Sequence, residues 1–235
     1  MISQALQYLS NDVFFYTDMT EPIRRGTAEI ISAGENGVLL IETISRAYML
    51  AADTAEEGIR LLSKVKNPKL ASIHRMDIAY EVSRLFGLPV TMECHTAVWT
   101  GQTPPKAHSG AFDVRVLNRG HIQLIADMYS HPGIGPGYID GRIMAGEMIG
   151  AFVGDELAGF IGLHEEGSMG MLEVARKFRR QGVASSLLSH LCAWLLSRGR
   201  TPFSQFATDN EPSRRLHEHM GFRISNRPVY WLENR

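Results

Sequence analysis

Apolar and polar positions follow two rhythms along this chain of 235 residues, and they recur in the same order in each half. In the first half, residues 27–32 and 38–43 alternate as strands around Gly34-Glu35-Asn36-Gly37, which predicts a hairpin. Residues 46–52 then predict a strand, 54–64 a helix and 69–74 a short strand. Residues 76–86 predict a second helix, stopped by Gly87 and Pro89, and 90–99 a last strand. In the second half, residues 147–153, the turn Gly154-Asp155-Glu156 and residues 157–163 predict another hairpin. A strand ending at Val174 follows, and a long helix opens near Gly182. Its apolar positions Ala184, Leu187, Leu188, Leu191, Cys192 and Leu195 keep helical spacing. Residues 201–207 predict a further strand, Asp209-Asn210-Glu211-Pro212-Ser213 start a helix, and Gly221 closes it. The fold class is α/β.

The join between the strand at Leu172 and the long helix carries the chemistry. A helix start leaves backbone N–H groups without intrahelical partners, and the positive end of the helix dipole lies there. Gly182 and the small Ala184 let a ligand approach that backbone, with Gln181, Val183 and Ser185 around them. Arg176, Lys177, Arg179 and Arg180 add four cations within five residues. Together these features describe a pyrophosphate cradle. The plainer reading is a surface helix with a solvated basic face.

The spacing Arg179-x-x-Gly182-x-Ala184 resembles the CoA-pyrophosphate signature of the GNAT superfamily of N-acetyltransferases. The order of the flanking segments resembles it too, including Asn210, Ser213 and the closing Gly221-Phe222. The resemblance spans about residues 111–233, is strongest over 168–222, and is nearest to the glycine N-acyltransferase-like branch with its extra N-terminal half. It implies a mixed-sheet acyl-CoA N-acyltransferase fold and acetyl-CoA as co-substrate. It further implies cofactor contacts at Leu172, Val174, Arg179, Arg180, Gln181, Gly182, Val183, Ala184 and Ser185, with the Val174 amide as oxyanion donor. Asn210 and Ser213 match contacts to the pantetheine or ADP arm, although both are also ordinary residues at a helix start.

Proton transfer is where this chain departs from the family pattern. Many relatives carry a Glu at the start of the strand, where this chain has Ser168. Glu165, Glu166 and Glu173 are the carboxylates nearby, and a water chain is an alternative. Strand alternation sends Leu172 and Val174 to the core and Glu173 to the opposite face, toward the cleft, so Glu173 is the favoured base. A solvated or salt-bridged Glu is the plain alternative. His217 stands where the family usually has a Tyr; it is either the acid for the leaving sulfur or an unreactive surface residue. A metal site is not expected, because His217 and His219 project about 200° apart on a helix. The loop 131–138 falls where relatives shape the acceptor pocket, as a lid carrying Tyr138 or as a plain connector.

Composition narrows the setting. Residues 101–110 have the Pro, Gly and polar content of a linker, which divides the chain into 1–105 and 106–235. The first half has the succession of the second but lacks the cradle: its helix opens on Asp53-Thr54-Ala55-Glu56-Glu57, a capping box that occupies the helix amides. It reads as a degenerate GNAT-like lobe that packs on the catalytic lobe and walls the acceptor pocket, or as a domain of unrelated ancestry. A net charge of −1 gives no reason to expect nucleic acid. Two cysteines imply no disulfide framework, and the absence of a leader or an apolar run of membrane length fits a cytoplasmic protein. A homodimer stays open. The expected function is transfer of an acetyl or short acyl group from acyl-CoA to a primary amine of a small molecule, a protein amine being the variant. The rival is a non-catalytic acyl-CoA-binding regulatory module, which the missing Tyr and displaced Glu favour. A nucleotide binder of another fold ranks last, since no Gly-Lys-Ser/Thr motif occurs.

Overall fold

A computed structural model describes residues 1–107, 112–129 and 135–234. The predicted linker residues 108–110 and the loop residues 131–134 lie outside them. The chain forms two compact units that are not contiguous in sequence. One comprises Met1–Val98, Gln205–Arg214 and Ile224–Arg235; the other comprises Trp99–Ser204 and Arg215–Arg223.

The first unit runs α1 (Ile2–Leu9), α2 (Thr17–Arg25), β1 (Ala28–Gly34), β2 (Gly37–Glu42), β3 (Tyr48–Ala52), α3 (Ala55–Leu62), β4 (Leu70–Ile73), α4 (Met76–Phe86) and β5 (Val90–Val98). The second unit runs β6 (Asp113–Val116), α5 (Ile122–Met128), α6 (Pro136–Met144), β7 (Met148–Val153), β8 (Glu156–Leu163), β9 (Met169–Val174) and α7 (Val183–Leu196). β10 (Phe203–Ala207), α8 (Glu211–His219), β11 (Arg223–Ile224) and β12 (Val229–Glu233) complete the chain.

In the first unit the strand order is β1-β2-β3-β4-β12-β5, so the last strand of the chain is inserted antiparallel between β4 and β5. Both faces of this sheet are covered. Leu39, Leu50, Ala71, Ile73 and Leu232 pack on the side of α3 and α4, while Val38, Leu40, Met49, Ala51 and Val229 pack on the side of α1 and α2. Two covered faces account for the unbroken apolar run of β2, whose residues are all buried. In the second unit β6, β7, β8 and β9 form an antiparallel meander. α5 and α6 cover one face, with Ile125, Ile139, Ile143, Met148, Phe160 and Met171 in the core. α7 buries Leu187, Leu188, Leu191, Cys192 and Leu195, and the Cys192 thiol lies 3.8 Å from Met169 Sδ. Burial raises that thiol well above its ordinary range, so Cys192 is an inert core residue.

α2 has no simple apolar rhythm, because it buries Thr17, Asp18, Thr20 and Glu21 together with Met19 and Pro22. Asp18 is fully buried and gathers partners distant in sequence. Its Oδ1 lies 2.9 Å from His74 Nε2, and its Oδ2 accepts from Gln205 Nε2 at 3.1 Å and from the Ser72 hydroxyl at 3.5 Å. Trp231 Nε1 donates to Gln205 Oε1 at 2.8 Å, and His74 Nδ1 lies 3.1 Å from Leu50 O. One carboxylate thus ties α2 to β4, to the end of β10 and, through Gln205, to β12. Removing it leaves buried polar groups facing nothing, which costs about 1–3 kcal/mol each. Asp18→Ala is expected to lower unfolding free energy by about 3 kcal/mol or more. Arg84→Ala, which breaks only an exposed pair with Glu81, should cost under about 1 kcal/mol in the same urea titration.

Candidate active site

The site is built where β9 runs through a short 3-10 turn, Arg176–Phe178, into α7. β9 is paired with β8 as Gly159↔Val174, Phe160↔Glu173, Gly162↔Gly170 and Leu163↔Met169. The register slips between Phe160 and Gly162, and Met171 has φ 54°, the left-handed conformation that an extra bulged residue adopts. Ala175 N–H donates to Ala158 O at 2.9 Å, so alternation turns the N–H and C=O of Val174 away from β8, toward the other edge of β9. On that edge β10 begins parallel to β9 with a single register pair, Ser204↔Met169. Residues 170–174 therefore have no second strand partner among the described residues. β3 and β4, by contrast, share three parallel register pairs, and His74 N–H adds a bond to Leu50 O at 3.2 Å.

Val174 lies opposite Gly159, where a Cβ would meet Val183 of α7, and Glu173 lies on the other face, as alternation predicts. Leu172 and Val174 are half-buried, and the core residues of β9 are Met169 and Met171. Glu173, opposite Phe160, lies on the face covered by α5 and α6. Its carboxylate is engaged: Oε1 accepts from Arg179 Nη2 at 3.3 Å and from the Val174 N–H at 3.3 Å. Arg179 Nε also donates to Val174 O at 3.1 Å. Tyr129, which sequence reasoning did not single out, packs its ring 6.0 Å from that of Phe160. Burial, and secondarily the Glu173 charge, push the Tyr129 hydroxyl up to about 12. Nothing in the local pattern marked it, because its role depends on what lies across the sheet.

The cradle itself is open. Arg180 and Gly182 both take positive φ, 64° and 89°, and no side chain caps α7. The Ser185 hydroxyl donates to Gly182 O at 2.9 Å, and the first intrahelical bond runs from Ser186 N–H to the same oxygen. The N–H groups of Val183, Ala184 and Ser185 thus have no intrahelical acceptor. Gln181 Nε2 braces the turn by donating to Lys177 O at 2.8 Å. At the start of α3 the Thr54 hydroxyl accepts from Glu57 N–H at 3.2 Å, but the Glu57 carboxylate pairs with Arg60 rather than closing a full capping box. The cations are fewer in effect than expected, since Lys177 pairs with Glu156 and Arg179 with Glu173, while Arg176 and Arg180 are exposed.

The turn between β8 and β9 holds a second group of polar side chains. The Tyr138 hydroxyl lies 3.0 Å from His164 Nδ1 and accepts from Glu165 N–H at 3.3 Å. Burial, with the Glu166 charge behind it, raises that hydroxyl above its ordinary range. The Ser168 hydroxyl donates to Glu166 Oε1 at 2.5 Å, and both residues are buried. Beside Ala175 a groove of about 720 Å³ runs between Leu124 and Met128 of α5 and Val153 and Leu157 of the β7–β8 hairpin, with Asp155 at its rim.

His217 is not a surface residue: it is buried, its ring 5.0 Å from that of Phe222 at nearly a right angle. The helix end explains this. Gly221 has φ 82°, and Phe222 N–H returns to His217 O at 2.9 Å, which folds Phe222 back over the last turn. Asn210 Oδ1 accepts from Ser213 N–H at 3.1 Å and so caps α8. No cluster of three or more His, Cys, Asp or Glu is arranged to hold a metal among the described residues.

Residues 127–222 match the model of the Acetyltransferase (GNAT) family. Similar solved structures include a Drosophila protein at 15% identity, with TM-score 0.73, covering 99% of this chain and 95% of that one. A putative GNAT-family acetyltransferase from Novosphingobium aromaticivorans aligns at 14% identity and TM-score 0.59, covering 94% and 97%. A GNAT-family acetyltransferase from Colwellia psychrerythraea aligns at 14% and TM-score 0.54, covering 100% and 97%. A search of curated proteins gives no match. The fold is accordingly the α/β mixed-sheet GNAT fold. Gly182→Glu puts strain and a carboxylate into the open helix start; it should weaken CoA tenfold or more, about 1.4 kcal/mol, by calorimetry. Gly182→Ala tests the strain alone and should retain more of the affinity.

Proposed function

We propose that this protein transfers an acetyl or other short acyl group from acyl-CoA to a primary amine of a small molecule. The carrying observation is the uncapped start of α7, which leaves the Val183–Ser185 amides for a diphosphate beside a β9 edge with no strand on it. In this reading Arg180 and the cradle amides hold the CoA diphosphate. The pantetheine amides bond to the outward groups of Leu172 and Val174, as a partner strand would. The thioester carbonyl oxygen then meets the Val174 N–H, which stabilises the oxyanion once the Glu173 carboxylate yields that position. His217, enclosed against Phe222, is the candidate acid for the leaving sulfur.

The first unit is, in this proposal, a degenerate copy of the same lobe, as in the glycine N-acyltransferase-like branch. Its β3–α3–β4 segment has the parallel geometry of β9–α7–β10, but its helix start is capped by Thr54 and its strands stay paired. A cytoplasmic setting agrees with two buried cysteines that form no disulfide. No described helix is long and apolar enough to cross a membrane.

One observation favours a second reading, an acyl-CoA-binding module without turnover: the Val174 N–H is engaged by Glu173. Free-thiol release from acetyl-CoA across a panel of amines separates the two. Transfer is expected for at least one amine, whereas tight acetyl-CoA binding with release no faster than hydrolysis for all of them selects the module. His217→Phe is expected to lower kcat by about tenfold or more while changing acetyl-CoA affinity little. An equal loss of both would assign His217 to packing alone.

A further inference from the structure

The turn from β8 to β9 holds an imidazole that the reading above does not use. His164 is fixed from three sides. Its backbone closes the turn, His164 N–H donating to Ser168 O and Gly167 N–H to His164 O, each at 2.9 Å. Its Nδ1 meets the Tyr138 hydroxyl at 3.0 Å. Its ring lies against Gly170 so closely that a Cβ at that position would fall on Nε2 and Cδ2. Gly170 has ordinary extended backbone, so no turn requires a glycine there; the ring requires it. Gly170 is opposite Gly162, and a side chain on Gly162 would meet Met171 and Met148 of the core under α5 and α6. The imidazole therefore lies on the α5 and α6 face of β9, the face that carries Glu173, along the stretch that has no strand on its outer edge.

We propose that His164 is the proton acceptor for the attacking amine, and that Tyr138 is its positioning residue. The proposal rests on the acyl-transfer reading. A hydroxyl can donate to a bare Nδ1 or accept from Nδ1–H, so Tyr138 stays bonded in either ring state and Nε2 is the nitrogen that gains and loses the proton. The charged groups around the pair are Glu165 and Glu166 of the turn and Arg142 of α6, with Glu173 further along β9. Glu173 orients Arg179, which grips Val174 O at the mouth of the cradle.

In the step, an N–H bond of the substrate ammonium breaks, its proton passes through water to Nε2, because the ring lies on Gly170, four strand residues from the Val174 N–H, and the electron pair stays on nitrogen. That pair forms the bond to the thioester carbonyl carbon. The C–S bond then breaks, and the second amine proton ends on sulfur. The imidazolium returns its proton to water. An imidazole, with an ordinary value of about 6.5, suits this exchange near neutral pH better than a carboxylate at about 4.

The test is kcat/KM against pH for the best amine of the panel, alongside the acetyl-CoA Kd by calorimetry. The wild type should show a limb that rises with pH as the base loses its proton. His164→Gln should lower kcat/KM at least 100-fold and abolish that limb, with Kd within twofold of wild type. Added imidazole should restore part of the rate to His164→Ala, which a structural role would not allow. Tyr138→Phe, which keeps the ring, should displace the limb with a smaller loss of rate and carries the test if His164→Gln fails to fold. Activity of His164→Gln within threefold of wild type, an unmoved limb in Tyr138→Phe, or loss of the limb in Glu173→Gln alone would each overturn the assignment and leave acyl transfer standing. Acetyl-CoA binding without turnover of any amine by the wild type would overturn transfer itself, and the base with it.

Discussion

Two sets of backbone groups, the amides that open α7 and the outward N–H and C=O of Val174 on β9, set what the second unit can do. Backbone polar groups in a protein interior are nearly always paired; here strand pairing and helix capping both stop where β9 leads into α7, and the Val174 N–H and C=O are met by the side chains of Glu173 and Arg179 instead. Gly182 makes the opening possible. Its φ of 89° starts the helix without a capping side chain, and Ser185, the nearest hydroxyl, donates to a carbonyl instead of covering an amide.

In the first unit the β3–α3 join has its helix start capped and its strand paired. Thr54 caps α3, Tyr8 donates to Asp53 at 2.8 Å, and Arg75 reaches the Asp53 carbonyl. β3 and β4 remain zipped up to His74, whose ring Nε2 is held by Asp18. What distinguishes a cradle from a structural helix start is thus a handful of side chains. In one unit a threonine hydroxyl is turned onto the helix amides; in the other a glycine stands at that position and no side chain caps the helix.

The chemistry on β9 is organised around its bulge. Met171 in the left-handed region moves one residue out of alternation, which brings Met169 and Met171 into the core and leaves Leu172 and Val174 half-exposed. The same strand presents a glycine where the imidazole of His164 lies and a carboxylate where Arg179 needs an anchor. The Ser168 hydroxyl is bonded to buried Glu166 in the turn that precedes the strand.

Local rules made much of this legible. Hairpin turns, the capped and uncapped helix starts, the Gly221 closure and the elements from β1 to β5 and from β7 to α8 follow from periodicity and turn chemistry, which act between residues near in sequence. So does the cradle, because it is made of consecutive residues. Tertiary structure decided the rest, because the determinants are far apart along the chain. α2 buries Asp18 and Glu21 together with Met19 and Pro22, and Asp18 finds His74, Ser72 and Gln205 only in the folded unit. β12 leaves its sequence neighbours to lie between β4 and β5. His217 is buried against Phe222, Tyr129 packs on Phe160, and His164 meets Tyr138 across 26 positions of sequence. A sequence dictates which backbone groups can be left open; which side chains come to stand beside them depends on packing between distant segments, whose energies no local pattern records.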